Sequence, residues 1–407
     1  MFSSQPNSFC IIVKSFLYLP VQKSNNLENY FTGLELDIKI VAGIYILMFF
    51  IQSYYYLRYY RKAFFKNKSI YKKPALPAEP VSIIVCARNE ASNLRKNLPL
   101  ILEQDYPEFE VIVVNDRSED ETEEILKELA TNYNNLRVSG VRNDPMFTHG
   151  KKLALTLGIK ASCYDWLLLT DADCQPAGKN WLYRMQQNFA PDIDIVLGYG
   201  GYKKGKGIIN LLVRFETLFT AMQYLGMAAA GKTYMGVGRN LAYRKTLFFN
   251  NRGFASHSNL YSGDDDLFVN ETANSTNTAV EMHPESFTWS DAETTFKSWF
   301  FQKKRHLTTG PRYSFITRFR LILENISRVL FLLTFIYLLF RFPDPEYVLA
   351  VFGLMLLLKI IVYKIVFSRL NEGFLFLPSL VIEPLMPFFY SYLHFINLIE
   401  RKHRRWN

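Results

Sequence analysis

The sequence predicts an α/β domain built on a mostly parallel sheet and held between α-helical transmembrane segments. Three observations carry this. Continuous apolar runs at 81–86, 111–114, 166–170 and 193–197 have strand length and little polar alternation, as strands buried on both faces do. Helical stretches at 91–102, 121–130, 151–162 and 181–189 alternate with them, the βαβ rhythm of an open parallel sheet. Longer apolar segments near both ends are bordered by Lys and Arg.

Composition agrees with this division. The chain has 407 residues, 49% of them hydrophobic, and a formal net charge of +10. Such a surplus suits either a nucleic-acid binder or a membrane protein with a cationic cytoplasmic face. The Lys and Arg clusters flank apolar segments and accompany no nucleic-acid module, so the membrane reading is taken and no nucleic-acid partner is expected.

Taken in order, residues 1–35 read as a flexible leader. Its apolar run at 9–19 is short, interrupted by Lys14 and ended by Pro20, a poor span and a poor signal peptide. Residues 36–58 read as a transmembrane helix, since about 20 apolar residues cross a bilayer. Residues 59–79 form a linker with Arg61, Lys62, Lys66 and Lys68 at its start, just after Arg58, and Pro74 and Pro77 further on, which holds that end in the cytosol. The sheet domain follows at 80–300, then interfacial helices at 301–322 and two further spans within 323–367. The apolar stretch 207–230 carries Arg214 and Glu216 and reads as an interfacial or core helix rather than a span. The last apolar stretch, 373–398, contains Pro378, Pro384 and Pro387 and reads as a kinked or re-entrant segment. As a simple span it would put the basic tail 399–407 outside, against the charge rule. Lys359 falls near the middle of a span, and Glu383 is its nearest candidate partner. Cys10, Cys86, Cys163 and Cys174 have no metal-ligand spacing, which fits a reduced, cytosolic setting. These segments predict a multi-pass protein of the inner (plasma) membrane, with its sheet domain in the cytosol.

In an open sheet of this kind the ligand site lies beyond the carboxyl ends of the strands. Asp171 and Asp173 stand where the apolar run ending at Thr170 stops, and two carboxylates so spaced suit a divalent cation. Acidic loop ends are common, so the pair alone also fits a solvated turn. Asp116 follows the second strand, where a carboxylate can accept a hydrogen bond from a nucleobase; Ser118 and Asp120 read as caps of the next helix. The run Asp264, Asp265, Asp266 offers a general base, and crowding of acids raises their pKa values toward neutrality. A solvated acidic loop is the plainer alternative there.

The ordered set Asn89-Glu90, Asn115-Asp116, His149 to Lys152, Asp171/Asp173, Gly263 to Asp266 and Gln302 to Arg305 resembles family 2 glycosyltransferases. In detail it looks like the membrane-bound branch of cellulose-synthase-like and ceramide-glucosyltransferase-like enzymes, over about residues 80–310. That resemblance implies a GT-A fold, a nucleotide-sugar donor, Mg²⁺ or Mn²⁺, and inversion at the anomeric carbon. It implies that Ala87, Arg88, Glu90, Asp116, Lys151, Asp171 and Arg305 contact the donor, and that Asp171 and Asp173 hold the metal. Asp265 aligns with the family's general base, with Asp264 and Asp266 one residue away. Asp264, Gln302, His306 and Gly238 fall at acceptor positions. His306 stands where the family's Gln-x-x-Arg-Trp element has tryptophan, which tilts the expectation from a processive polysaccharide synthase toward single transfer onto a lipid-linked or membrane-borne hydroxyl. The donor is expected to be UDP-linked. A non-catalytic membrane-anchored binding or assembly subunit is the alternative outside enzymes, and a partner subunit is compatible with either.

Overall fold

The computed structural model describes residues 35–65, 78–141, 150–260 and 262–404. All but the last residue of the leader, most of the Pro-containing linker, His149 and the end of the basic tail lie outside those residues.

Helix α1 (Leu36–Tyr55) continues through a π-helical turn, Tyr56–Tyr60, whose tyrosines at 56, 59 and 60 are buried. The sheet domain then alternates as its apolar runs predict. Strand β1 (Val81–Ala87) leads to α2 (Ala91–Leu102), β2 (Phe109–Asn115) to α3 (Thr122–Asn132), and β3 (Leu136–Gly140) to α4 (Lys151–Ala161). After β4 (Trp166–Asp171) come β5 (Gln175–Pro176), α5 (Trp181–Gln186), β6 (Ile195–Leu197) and β7 (Gly200–Tyr202). Helix α6 (Ile208–Ala229), β8 (Leu241–Arg244), α7 (Lys245–Asn250), α8 (Asp266–Thr272), β9 (Thr278–Val280), β10 (Thr288–Ser290) and α9 (Phe296–His306) complete it.

The main sheet has seven strands in the order β3-β2-β1-β4-β8-β6-β9. Strands β3, β2, β1 and β4 are parallel; β8 is antiparallel to both β4 and β6, so the sheet is mixed at that side. A smaller sheet, β5-β10-β7, lies beside it. Side chains alternate across the main sheet with period two. Val81, Ile83, Val85, Val111 and Val113 pack under α2, α3 and α5, while Ile112 and Val114 meet Ala154 of α4. In register, Cys86 faces Asp171 and Ala87 faces Asn115, so three strands end level and release their loops into one crevice.

The other face of the sheet is joined to the membrane helices through α6, buried along most of its length. Contact is close at Gly226, where a Cβ would stand 2.6 Å from the Tyr59 carbonyl oxygen. Four helices are long and apolar enough to cross a membrane: Leu36–Tyr60, Phe315–Arg341, Pro345–Arg369 and Gly373–Leu393. We label the last three α10 (Phe315–Arg341), α11 (Pro345–Arg369) and α12 (Phe376–Arg404).

Two sequence expectations differ from this picture. Residues 315–322 are the first turns of α10 rather than a separate interfacial helix, because Ser314 caps the helix by accepting the Thr317 N–H and no breaker follows. The segment 376–404 is one continuous helix, so the chain does not reverse within it as a re-entrant segment would. Pro378 lies in its first turn, where a missing N–H costs nothing, and Pro384 and Pro387 are accommodated inside it. Lys359 and Glu383 meet, at 2.9 Å, with Arg328 3.7 Å from the same carboxylate.

Candidate active site

The crevice is assembled from loops that lock one another. After β1, the Asn89 N–H donates to Ser118 Oγ at 2.9 Å, and Asn89 Oδ1 accepts from the Glu119 N–H at 2.8 Å. Glu90 N–H donates to Thr122 Oγ1, and Asp120 accepts from the Ala91 and Thr122 N–H groups. Ser118 and Asp120 therefore tie two strand-end loops together, beyond the capping their sequence suggested. Asn115 Oδ1 accepts the Ser118 N–H, so the amide that precedes Asp116 shapes the loop. Asp116 is buried, its N–H donates to the Ala87 carbonyl at 2.8 Å, and Arg117 Nε lies 3.0 Å from its carboxylate. Arg88 is exposed beside it, and Glu90 accepts from Asn93.

At the end of β4, Asp171, Asp173 and Cys174 bring ligand atoms within 4.8 Å of one another. Lys151, first residue of α4, lies 2.7 Å from Asp171 and 3.3 Å from Asp264, bridging the two acidic loops. Burial works against charge on Asp171, but the Lys151 ammonium outweighs it and holds the carboxyl below its usual range. Burial pushes Asp173 up to about 6, Asp171 adding to it and Arg239 opposing. Two oxygen ligands at the rim of a crevice match a hard divalent cation, and the donor chemistry fits one; the Cys174 thiol, which burial keeps protonated, does not suit it.

The three consecutive acids divide by direction. Asp264 faces Lys151. Asp265 caps α8, accepting the Asp266 N–H on one oxygen and the Gly238 N–H, at 2.8 Å, on the other. Asp266 turns into the core, where Thr309 and Tyr313 hydroxyls donate to it at 2.5 and 2.6 Å. Gly263 sets this up at φ +97°, where a Cβ would also strike Leu267. Burial first, then Asp264 and Asp266, push the Asp265 carboxyl up to about 7.

Arg239 is a member of this site that the sequence did not single out. Its carbonyl accepts from Thr170 and Thr288, its side chain lies over the Tyr202 ring at 4.3 Å, and its charge acts on both Asp171 and Asp173. Only the tertiary fold brings β4, β7 and β10 around it; the flanking Gly238 was the available signal. Lys152, by contrast, donates to the His257 and Leu260 carbonyls and is structural. His283 lies apart from the acids and caps Glu285. Gln302 Nε2 reaches Tyr202 Oη at 3.4 Å, while Arg305 and His306 are exposed at the end of α9; the Arg305 charge is felt at Asp171.

Comparison with known proteins fits this geometry. The Glycosyl transferase family 2 model matches residues 82–249, which spans β1 through α7 and includes Asp116, Asp171 and Asp173 but not the 264–266 acids. The chain is 26% identical over 277 residues to the "Probable glycosyltransferase YdaM" of Bacillus subtilis (strain 168), covering 64% of this chain and 63% of that protein. It is 29% identical over 130 residues to the poly-beta-1,6-N-acetyl-D-glucosamine synthase of Staphylococcus epidermidis, covering 32% of this chain and 30% of the relative. The chain thus aligns with less than two thirds of either relative. Among solved structures, a mannosyltransferase from Pyrobaculum calidifontis, in complex with GDP-Man and Mn²⁺, superposes with a TM-score of 0.50 over 84% of this chain and 97% of its own, at 18% identity. That superposition gives the fold, GT-A. Over residues 82–249 the chain is thus similar to glycosyl transferase family 2.

Proposed function

We propose that the protein is a membrane-embedded, inverting glycosyltransferase that moves a sugar from a UDP-linked donor to a hydroxyl of a lipid-linked or membrane-borne acceptor. The observation that carries this is the convergence on Lys151: one ammonium within 3.3 Å of both Asp171 and Asp264, with Asp265 next in the chain and bonded to Gly238. The diphosphate end of a donor and the proton acceptor for an incoming hydroxyl would then lie within one side chain of each other.

Asp116 would read the base, with Ala87, Arg88 and Glu90 lining the same loop. Asp171 and Asp173 would hold Mg²⁺ or Mn²⁺, which supplies charge neutralisation at the diphosphate. Lys151, Arg239 and Arg305 add positive charge on that side. Asp265 accepts the proton of the acceptor hydroxyl as its oxygen attacks the anomeric carbon. The bond from that carbon to the diphosphate oxygen breaks, nucleoside diphosphate leaves, and one displacement inverts the configuration. Asp264, Gln302, His306 and Gly238 line the acceptor side of this arrangement. A pKa near 7 lets Asp265 act as a base at neutral pH.

In this reading the sheet domain lies on the cytosolic face of the plasma membrane, which the Lys and Arg next to α1 and α10 support. The similarity to a poly-beta-1,6-N-acetyl-D-glucosamine synthase supports a second reading, chain growth rather than single transfer. The test is nucleoside-diphosphate release by the protein in nanodiscs with native lipid extract. A panel of nucleotide sugars is run with Mg²⁺ or Mn²⁺, beside Asp265→Asn and a chelator. Release from one donor that both treatments abolish supports the reading; release from none, with acceptor lipid present, defeats it. Product size separates single transfer from polymerisation.

A further inference from the structure

Helix α12 is long and apolar enough to cross a membrane, yet its contacts lie on one side of the bundle. The outer part of the bundle is closed by Ile38, Tyr45, Met48, Phe331, Leu338 and Val348, with Met355, all from α1, α10 and α11. Among the described residues α12 contributes none of that cluster. Its inward residues Ile382 and Met386 instead join the large cluster shared with the sheet domain.

The two ends of its apolar stretch are anchored to the sheet domain at one place. Glu372, just before α12, pairs with Arg214, and Tyr390 Oη donates to Glu216 at 2.5 Å; Arg214 and Glu216 are two residues apart on α6. A helix rises 1.5 Å per residue, so a perpendicular span would carry residue 390 roughly 25 Å from residue 372 along the membrane normal. Phe389 also stacks on Trp299 of α9 with ring centroids 4.9 Å apart and planes 4° apart. Both ends therefore sit at the depth of α6 and α9, and Glu383 between them meets Lys359 beside the Tyr56 ring, in the layer shared with the sheet domain rather than in the outer cluster.

The face of α12 turned away from the protein is an apolar stripe. Leu377, Val381, Leu385, Phe388, Tyr392 and Phe395 are exposed and recur every three or four residues.

We propose that α12 does not cross the bilayer. It lies in the membrane surface on the same side as the sheet domain, its Leu377-to-Phe395 stripe seated in the boundary between headgroups and acyl chains. Three helices then span, and the C-terminus lies on the sheet-domain side. This removes the conflict of a basic tail on the far side, and it makes α12 the floor beneath α9, the helix that carries Gln302, Arg305 and His306. The proposal goes beyond the proposed function and stands without it, since neither donor nor acceptor enters the argument.

The test uses the full-length protein in sealed vesicles and measures depth and sidedness. Cys163 is exposed on the sheet domain and serves as an internal reference; a second cysteine is appended after Asn407. A membrane-impermeant maleimide should label both from the same side. Labelling from opposite sides overturns the proposal. Nitroxides at Leu377→Cys, Leu385→Cys and Tyr392→Cys, with Cys163 and Cys10 replaced by Ser, should report one shallow depth from oxygen and nickel-complex collisions. A depth that peaks at residue 385, near the bilayer centre, overturns it. The appended cysteine leaves every native side chain in place, so the sidedness result does not depend on how well the labelled variants fold.

Discussion

In the crevice beyond the sheet, Asp171 and Asp264 share the single ammonium of Lys151, and Asp173 and Asp265 have no cation at ion-pair distance among the described residues. In the helix bundle, Glu324 and Glu383 face Arg328 and Lys359, two carboxylates to two cations with Arg328 reaching both acids, and Tyr56, Tyr363 and Gln52 add neutral hydrogen bonds. Both clusters use carboxylates and cations, but the bundle cluster is buried whereas Lys151 and Asp171 of the crevice are partly open to solvent. The difference is balance. A closed set of pairs holds helices in register and has nothing to offer a ligand. An excess of carboxylate facing an opening is costly for the fold alone, and it is relieved when a cation or a proton arrives. On that reading the crevice does chemistry and the bundle cluster does assembly.

The largest effect expected is at the member of the crevice that takes a proton. Asp265→Asn is isosteric and can still accept one of the two N–H groups, from Asp266 or from Gly238, but it removes the base, so kcat should fall about 10²–10⁴-fold. Donor affinity, read by calorimetry, should change little. Equal loss of donor affinity and kcat would make Asp265 a binding residue and blur the contrast.

The bundle should answer in stability instead. Glu383→Gln leaves Lys359 buried without its carboxylate, which costs about 3–5 kcal/mol in comparable sites, and Lys359→Met should cost less because Arg328 stays 3.7 Å from Glu383. The double variant should lose less than the sum of the two, and nucleotide-sugar turnover per folded molecule should stay near the parent's. Thermal unfolding in detergent and the same turnover assay check both. Additive losses would mean that the pair is not coupled.

These contrasts were legible in the sequence to different degrees. β1, β2 and β4 could be read because their apolar runs are continuous, and Asp116, Asp171 and Asp173 because they stop those runs. β3 could not: Arg137 and Val138 are exposed, as befits an edge strand, and the segment lacks the apolar continuity of the others. β8 has only four residues, and nothing local signals that it runs antiparallel to β4. Arg239 acquires its place from three strands distant in sequence. The start of α10 is hidden in the sequence because Arg318 and Arg320 interrupt the apolar run, whereas a helix carries such residues through its first turns when Ser314 caps it. Among the three acids, sequence could not choose a register; direction of the side chains does.

pH sharpens the comparison on the crevice side. Asp265 serves as a base only when ionised, and its pKa of about 7 lies well above the usual carboxylate value. Below pH 7 the protonated form dominates, so kcat/KM should fall tenfold per pH unit, and it should level off above pH 7. The residual activity of Asp265→Asn should lack this limb. A parent profile flat from pH 5 to pH 8 would remove Asp265 from the proton path.

The smallest effect tests the contrast within two adjacent residues. Lys151 and Lys152 are neighbours on the first turn of α4, and a helix turns about 100° between them. Lys151 faces the acids of the crevice; Lys152 faces the carbonyls of His257 and Leu260, at 2.7 and 3.1 Å. Lys151→Met should therefore weaken donor binding, because a diphosphate loses one of its cations. Lys152→Met should instead cost about 1.5–3 kcal/mol, the worth of a charged hydrogen-bond donor, and leave donor affinity unchanged. The two variants form a control for each other, since they remove the same charge from the same helix turn. If both lowered donor affinity alike, net positive charge near the crevice, and not the aim of a particular side chain, would be what the donor feels.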